Sequence, residues 1–90
     1  MDSGLFLLKV KELVAERFND RFNLDTPGVR KDKNSVFIVW SCKVLQNNKA
    51  LAGVYGDNGM YYEVTYNGDK REYYIDEYCK ISNKKIEDKE

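Results

Sequence analysis

The sequence predicts an α+β fold in which one N-terminal helix packs on a four-stranded antiparallel β-meander. Before residue 22 the apolar residues recur at spacings of three and four, and after residue 35 they recur with period two. Turn signals divide that second part into short segments. The chain has 90 residues, the length of one small domain. Because the predicted connections are short and local, we expect a single domain over residues 1–90 with meander topology.

The first predicted element is an amphipathic helix over about residues 4–21, capped by Asp2 or Ser3. Leu13 widens its apolar stripe, which consists of residues spaced by three and four: Leu7, Val10, Val14, Phe18 and Phe22. The remaining positions carry charges of both signs, so we expect the stripe to cover a sheet and not to bind a membrane surface.

A loop over residues 23–35 is predicted next, because this segment lacks periodicity and contains Pro27-Gly28. It carries a small basic cluster formed by Arg30, Lys31 and Lys33. Runs this short are more often solvated than functional, but they are also what a nucleic-acid site would use.

The first predicted hairpin joins strands over about residues 36–45 and 49–55. Val36–Trp40 is apolar on both faces, as in a central strand, and we expect Cys42 to lie in the core. The turn signal is Gln46-Asn47-Asn48-Lys49, because asparagine tolerates the positive φ of tight hairpin turns. An Asn47-Asn48 loop would place three apolar or small pairs opposite each other: Val44 with Leu51, Cys42 with Gly53 and Trp40 with Tyr55.

The second predicted hairpin follows a turn at Gly56-Asp57-Asn58-Gly59 and joins strands over about residues 60–66 and 70–78. Asn67-Gly68 is the strongest hairpin signal in the chain. With that loop the opposed pairs are Tyr62 with Tyr73, Met60 with Ile75 and Val64 with Arg71; a Gly68-Asp69 loop changes the partners and keeps the faces. Residues 80–90 are expected to form a short appended segment that frays near its charged end.

Period two sorts the second hairpin into two faces. The helix is expected to cover Met60, Tyr62, Val64, Tyr73 and Ile75. The other face carries aromatic and acidic residues: Tyr61, Glu63, Thr65, Lys70, Glu72, Tyr74, Asp76 and Tyr78. The simpler interpretation is that these tyrosines supply β-propensity on a solvated face. The functional one is a protein-binding patch, since tyrosine offers a large contact area at low entropic cost.

No residue pattern in the sequence specifies catalysis, a metal or a cofactor. The chain has no histidine, the most common general base, and its two cysteines are far apart in sequence. Glu63 and Glu72 would be opposed in one register, but an open sheet face favours the register that separates them. Asp57-Asn58-Gly59 lacks the remaining ligands of a calcium loop. We therefore expect a non-enzymatic protein without catalytic residues, metal or cofactor.

Charge and hydropathy limit the partners and the cellular compartment that can be expected. Fifteen basic residues balance fifteen acidic ones, so the net charge gives no reason to expect a polyanionic partner such as a nucleic acid. The exposed tyrosines are set among carboxylates, which argues against base stacking there. The N-terminus does not resemble a secretory signal and Val36–Trp40, the longest apolar run, is too short to span a bilayer. A soluble cytoplasmic protein with reduced thiols and no membrane contact is expected.

Two segments carry a family resemblance: VFIVWSCKVLQNNKAL (residues 36–51) and GMYYEVTYNGDKREYYIDEY (residues 59–78). They resemble a family of small uncharacterised proteins encoded by phages and prophages of Gram-positive bacteria. The similarity covers about two-thirds of the chain and brings no assigned site residues. It implies an early-expressed accessory protein in the cytosol of an infected or lysogenic bacterium. By analogy with small phage proteins, anti-CRISPR proteins among them, the partner would be a bacterial host or defence protein.

The leading hypothesis is a binding protein that inhibits or redirects such a partner. Its expected contact residues are Tyr61, Glu63, Glu72, Tyr74, Asp76 and Tyr78. The alternative is a nucleic-acid-binding accessory of phage replication that uses Arg30, Lys31 and Lys33. The sequence allows a homo-oligomer and leaves open whether edge strands pair between chains.

Overall fold

The structure, a computed structural model, describes residues 1–24, 26, 28–57 and 59–88. In chain order the elements are α1 (Ser3–Arg21), a short 3-10 helix (Lys33–Ser35), β1 (Val36–Val44), β2 (Asn47–Val54), β3 (Met60–Asn67) and β4 (Glu72–Cys79). The four strands form one antiparallel sheet in the order β1-β2-β3-β4. The predicted α+β fold, one helix on a four-stranded meander, is confirmed. Pro27 and Asn58 of the predicted turns, and positions 89 and 90, lie outside the described residues.

Helix α1 begins at Asp2, whose carboxylate accepts the Leu5 N–H at 3.1 Å. Its buried residues are Phe6, Val10, Val14, Ala15, Phe18 and Asn19. The predicted stripe therefore needs correction at both ends. Leu7 is only half-buried while Phe6 is buried, and Phe22 is exposed because the helix ends at Arg21.

The core lies between α1 and one face of the sheet, and α1 packs mainly on β2 and β1. The strand residues of this hydrophobic core all belong to that face: Val36, Ala50, Ala52, Val54, Met60, Tyr62, Val64 and Tyr66. Two alanines on β2 leave space for the helix to approach. The predicted helix-facing set is confirmed, because Met60, Tyr62 and Val64 are buried and Tyr73 and Ile75 pack against this core.

The loop of the first hairpin is Leu45-Gln46, so the predicted Asn47-Asn48 loop is wrong. Val44 pairs with Asn47, Cys42 with Lys49 and Trp40 with Leu51, in place of the predicted partners Leu51, Gly53 and Tyr55. The shift extends β2 by two residues that pair with Tyr66 and Asn67 of β3. The free energy gained from these added β2–β3 pairs exceeds the cost of placing the asparagines in a strand instead of the turn. It also exceeds the strain of the positive φ of 55° at Leu45. A bulge lies between Ile38 and Trp40.

The second hairpin turns over residues 68–71, and Asn67 pairs with Glu72. The predicted pairs Tyr62–Tyr73, Met60–Ile75 and Val64–Arg71 are therefore wrong, whereas Glu63 and Glu72 are separated, as expected for an open sheet face. The Asn67 side-chain oxygen accepts hydrogen bonds from the N–H groups of Asp69 and Lys70, at 3.1 and 3.2 Å. These bonds stabilise the longer turn, and Lys70 lies in this turn instead of in the strand. Because the shift is an even number of residues, every predicted residue that lies in β3 or β4 keeps its face, whereas Lys70 and Arg71 lie in the turn.

Both cysteines are free and exposed, so the prediction that Cys42 lies in the core is wrong. Cys42 faces the side of the sheet away from α1, next to Lys49. Cys79 lies on β4, three strands away. At about 4.8 Å between neighbouring strands, the two residues are at least about 14 Å apart, which excludes a disulfide between them.

Residues 80–88 follow β4 as an exposed segment without helix or strand structure. The Lys80 N–H donates to the Gly59 carbonyl at 2.8 Å, and Ile81 and Ile86 are exposed. The predicted appended segment is thus present. The whole molecule is flat, with extents of 46 × 39 × 18 Å.

Candidate protein-binding face

The sheet face turned away from α1, called here the open face, is covered by no other element of the described chain. It carries seven large apolar or aromatic side chains and three carboxylates. These residues are Phe37, Trp40, Leu51, Tyr55, Tyr61, Tyr74 and Tyr78, with Glu63, Glu72 and Asp76. Period two places the residues of β2, β3 and β4 on this face, and on β1 the bulge between Ile38 and Trp40 brings Phe37 and Trp40, three residues apart, to the same side.

The six residues predicted from the sequence lie together on the β3–β4 half of the open face. Tyr61 is directly opposite Tyr78, and Glu63 is directly opposite Asp76. Tyr74 and Glu72 occupy the next two open-face positions of β4. Tyr74 and Tyr78 are exposed and Tyr61 is half-buried. The tyrosines are therefore accessible to a partner.

The Glu63–Asp76 pair makes this half of the face acidic. Lys49 on β2 compensates part of the charge, since its Nζ lies 3.3 Å from Glu63 Oε1. Among the described residues, Asp76 has no ion-pair partner within 4.0 Å. Like charges opposite each other in a sheet are destabilising, so a cation that bound here would relieve the repulsion.

The Tyr74 hydroxyl donates a hydrogen bond to the Glu72 carboxylate, two residues earlier on the same strand. This hydrogen bond raises the pKa of Tyr74 above its ordinary value of 10.0, with further contributions from burial and from the Glu72 charge. The phenol therefore stays protonated and its ring is oriented along β4.

The β1–β2 half of the open face was not identified from the sequence. Phe37 lies over Gly53, whose hypothetical Cβ would be 2.4 Å from the Phe37 ring, and it stacks on Tyr55 with 5.0 Å between ring centroids. Trp40 pairs with Leu51 beside them. The apolar run Val36–Trp40 was the available signal, but it was interpreted as a central strand. In a meander the first strand is an edge strand, so one of its apolar faces remained to be explained.

A cavity of about 310 Å³ lies at the Cys42 end of the open face. Its lining residues include Cys42, Val44 and Thr65. Among the described residues, no group of three or more histidine, cysteine or acidic side chains could hold a metal ion. Within the same part of the chain, no helix is both long and apolar enough to cross a membrane.

The basic cluster Arg30, Lys31 and Lys33 lies beside α1 and is separate from the open face. Asn19 of α1 fixes the position of the loop that carries this cluster. Its buried side-chain amide donates a hydrogen bond to the Lys31 carbonyl and accepts one from the Lys31 N–H, both at 2.8 Å. The cluster borders a cavity of about 550 Å³. Four carboxylates line the same cavity: Glu12, Glu16, Asp20 and Asp32. The local charge is mixed rather than basic.

Fold and site together define a small α+β protein with one helix on a four-stranded meander and an uncovered aromatic sheet face. The chain belongs to a family of unknown function, DUF6275, whose sequence profile matches residues 7–88. The match spans the sheet, most of α1 and the segment after β4. The expected membership of an uncharacterised family is thereby confirmed. No curated protein and no solved structure matches the chain significantly.

Proposed function

We propose that this is a non-enzymatic binding protein whose open face contacts a protein partner. The observation that carries the proposal is the uncovered aromatic face, on which Tyr61, Tyr74 and Tyr78 lie beside three carboxylates. Tyrosine and tryptophan are enriched among residues that dominate binding energy. A solvated strand face needs no such concentration of rings, which extends from β1 to β4.

The binding energies involved indicate that a partner would contact both halves of the open face. Burying half of a tyrosine ring of about 200 Å² contributes about 2–3 kcal/mol, so three rings supply about 6–9 kcal/mol. Association itself costs about 4–15 kcal/mol. The three tyrosines alone would therefore support only weak binding, whereas Phe37, Trp40, Leu51 and Tyr55 can supply the remainder.

The acidic residues define the chemistry of the partner. Asp76 and Glu72 are exposed on β4, and Glu63 is only partly compensated by Lys49. A partner surface with apolar groups opposite Trp40 and lysine or arginine opposite Asp76 would complement the face. Such rim charges act mainly on association rate and specificity.

The resemblance of the two sequence segments supports a biological setting for this proposal. In it, the protein is phage-encoded, acts in the cytosol of a Gram-positive bacterium, and inhibits or redirects a host or defence protein. An anti-CRISPR role rests on analogy with small phage proteins.

The test compares partner capture by the wild-type protein and by Tyr61→Ala/Tyr74→Ala from lysate of a Gram-positive bacterium, followed by mass spectrometry. Phe22→Ala is the matched control, because Phe22 is 47% exposed, like Tyr74 at 46%, and follows α1, away from the open face. We expect a protein captured by the wild type and the control to be lost with the double variant. Equal capture by the double variant would refute the site, and Tm values confirm that each variant folds.

The second candidate function is nucleic-acid binding through Arg30, Lys31 and Lys33. The four carboxylates in the same cavity oppose it, since they repel phosphate. We expect no shift of labelled single- or double-stranded nucleic acid at low salt. A salt-dependent shift that Arg30→Glu/Lys33→Glu removes would establish this function instead.

A further inference from the structure

The open-face residues of β4 alternate between acid and ring, in the order Glu72, Tyr74, Asp76 and Tyr78. The Glu72 carboxylate accepts the hydrogen bond of the Tyr74 hydroxyl. On β3, Glu63 lies beside Lys49. Asp76 is the third carboxylate of this face, and among the described residues its exposed side chain forms neither a hydrogen bond nor an ion pair. This carboxylate is therefore free to bind a cation from another molecule.

Two carboxylates and two phenol rings form the corners of a rectangle around Asp76. The Lys80 N–H donates to the Gly59 carbonyl at 2.8 Å, so every second pair along the ladder, including Glu63–Asp76 and Tyr61–Tyr78, is of the hydrogen-bonded type. The Cα atoms of such a pair are about 5.5 Å apart, and the two pairs follow each other at about 7 Å along the strands. A group placed in the rectangle meets carboxylates on one side and rings on the other.

The covered face of the same two strands shows which cation suits such a setting. There Glu77 lies directly opposite Tyr62, and two arginines of α1 bind its carboxylate. Arg17 Nε and Nη2 both lie 3.1 Å from Glu77 Oε1, and Arg21 Nη1 lies 3.6 Å from Glu77 Oε2. A carboxylate of β4 near a tyrosine of β3 thus has arginine on the side of α1, whereas no arginine of the described chain reaches Asp76 on the open face.

Arginine fits the open-face rectangle better than lysine does. Its guanidinium group is planar and carries five N–H donors in a fixed fork, whereas the lysine ammonium group is a compact point charge. The fork can donate to both Asp76 and Glu63 while its plane stacks on Tyr78, which is 50% exposed. A phosphate group or an acidic peptide would be repelled by the same carboxylates.

We propose that the protein partner of the open face inserts an arginine side chain between the Glu63–Asp76 pair and the Tyr61–Tyr78 pair. This inference rests on the proposed function and specifies the group that the face recognises. Lys49 reduces the attraction, because its Nζ lies 3.3 Å from Glu63 Oε1 and its charge repels an incoming guanidinium group.

NMR titrations of the isotope-labelled protein with hexa-arginine and with hexa-lysine, at low ionic strength, test the proposal. The two peptides carry the same charge, so the difference between their affinities measures what the guanidinium group contributes. We expect hexa-arginine to bind about threefold or more tightly than hexa-lysine, with the largest amide shifts at residues 61–63 and 76–78. Equal affinities, or shifts confined to α1, would overturn the proposal.

Substitutions should change the affinity for hexa-arginine in opposite directions. Asp76→Asn and Tyr78→Leu should each weaken binding about three- to tenfold, whereas Lys49→Met should strengthen it. Glu16→Gln is the matched control, since it removes one exposed carboxylate on α1, away from the open face, and should leave binding unchanged. If Glu16→Gln weakened binding as much as Asp76→Asn, the attraction would be due to charge in general, and the proposed site would be wrong. Tm values check that each variant folds.

Partner capture separates this inference from the proposed function. Asp76→Asn should retain less of the protein that Tyr61→Ala/Tyr74→Ala loses. Undiminished capture by Asp76→Asn would refute the arginine contact and leave the protein-binding face in place, whereas undiminished capture by the tyrosine double variant would refute the face itself. A wild-type dimer in light scattering that Asp76→Asn dissociates would assign the site to a second copy and overturn the proposed partner.

Discussion

Tyr62 is the largest fully buried side chain, and its hydroxyl has no hydrogen-bond partner in the described chain. The ring fills the space between β3 and α1, near Glu77 and Arg17. The ring is therefore needed for packing, whereas the hydroxyl carries a desolvation cost. An apolar residue of the same shape should serve better.

We expect Tyr62→Phe to raise the free energy of unfolding by up to about 1 kcal/mol, because it removes an unsatisfied buried group and keeps the ring. Tyr62→Ala should lower it by about 3–5 kcal/mol through the cavity that it leaves. Urea denaturation measures both. A loss of more than 1 kcal/mol in Tyr62→Phe would show that the hydroxyl is hydrogen-bonded after all.

The same residue gives stability a pH dependence. Burial, and then the Glu77 and Asp57 charges, raise the pKa of Tyr62 above 10.0, and burial together with Tyr66 raises the pKa of Tyr73. Above about pH 10 the unfolded chain loses these protons first, so stability falls as pH rises through the folded pKa values. Urea midpoints between pH 8 and 11 should fall less in Tyr62→Phe than in the wild type. Parallel curves for the two proteins would contradict this assignment.

At the scale of elements, the two hairpins hold each other in register through their turns. A Cβ on Gly68 would lie 2.2 Å from the Gln46 carbonyl oxygen, so the β3–β4 turn packs directly on the β1–β2 turn. This contact is between segments more than 20 residues apart in sequence and cannot be inferred from either turn alone. It selects the Leu45-Gln46 loop even though Leu45 must adopt a positive φ.

Gly68→Ala should therefore lower the free energy of unfolding by about 1–3 kcal/mol, since backbone on the other turn must move. Gly28→Ala is the matched control, because a Cβ on Gly28 meets nothing within 4 Å and its φ is not positive. Thermal unfolding of both variants gives the comparison. Equal Tm values would mean that the turns do not pack as described.

This contact also explains which part of the fold was predictable. The faces of β3 and β4 depend only on period two, so Met60, Tyr62 and Val64 were assigned correctly to the helix-facing side and the six candidate contact residues to the opposite side. Registers depend on contacts between turns, and both predicted registers were wrong by an even number of residues. The apolar half of the open face was missed because Trp40 is exposed only if no further element packs on that side of the sheet. A local sequence pattern does not show whether such an element is present.

At the scale of the whole molecule, the flat shape of 46 × 39 × 18 Å results from one helix covering one face of one sheet. Domains usually bury both apolar faces of a sheet between layers. Here no element of the described chain covers the open face, which is the surface that the proposed protein partner would bury.

Trp40, the single tryptophan, reports on a partner bound to the open face. It is 42% exposed on β1, so acrylamide should quench its fluorescence efficiently in the free protein. A protein partner on the open face should shield the indole, shift its emission to shorter wavelength and lower quenching several-fold. Partner binding without protection of Trp40 would confine the contact to the β3–β4 half of the open face.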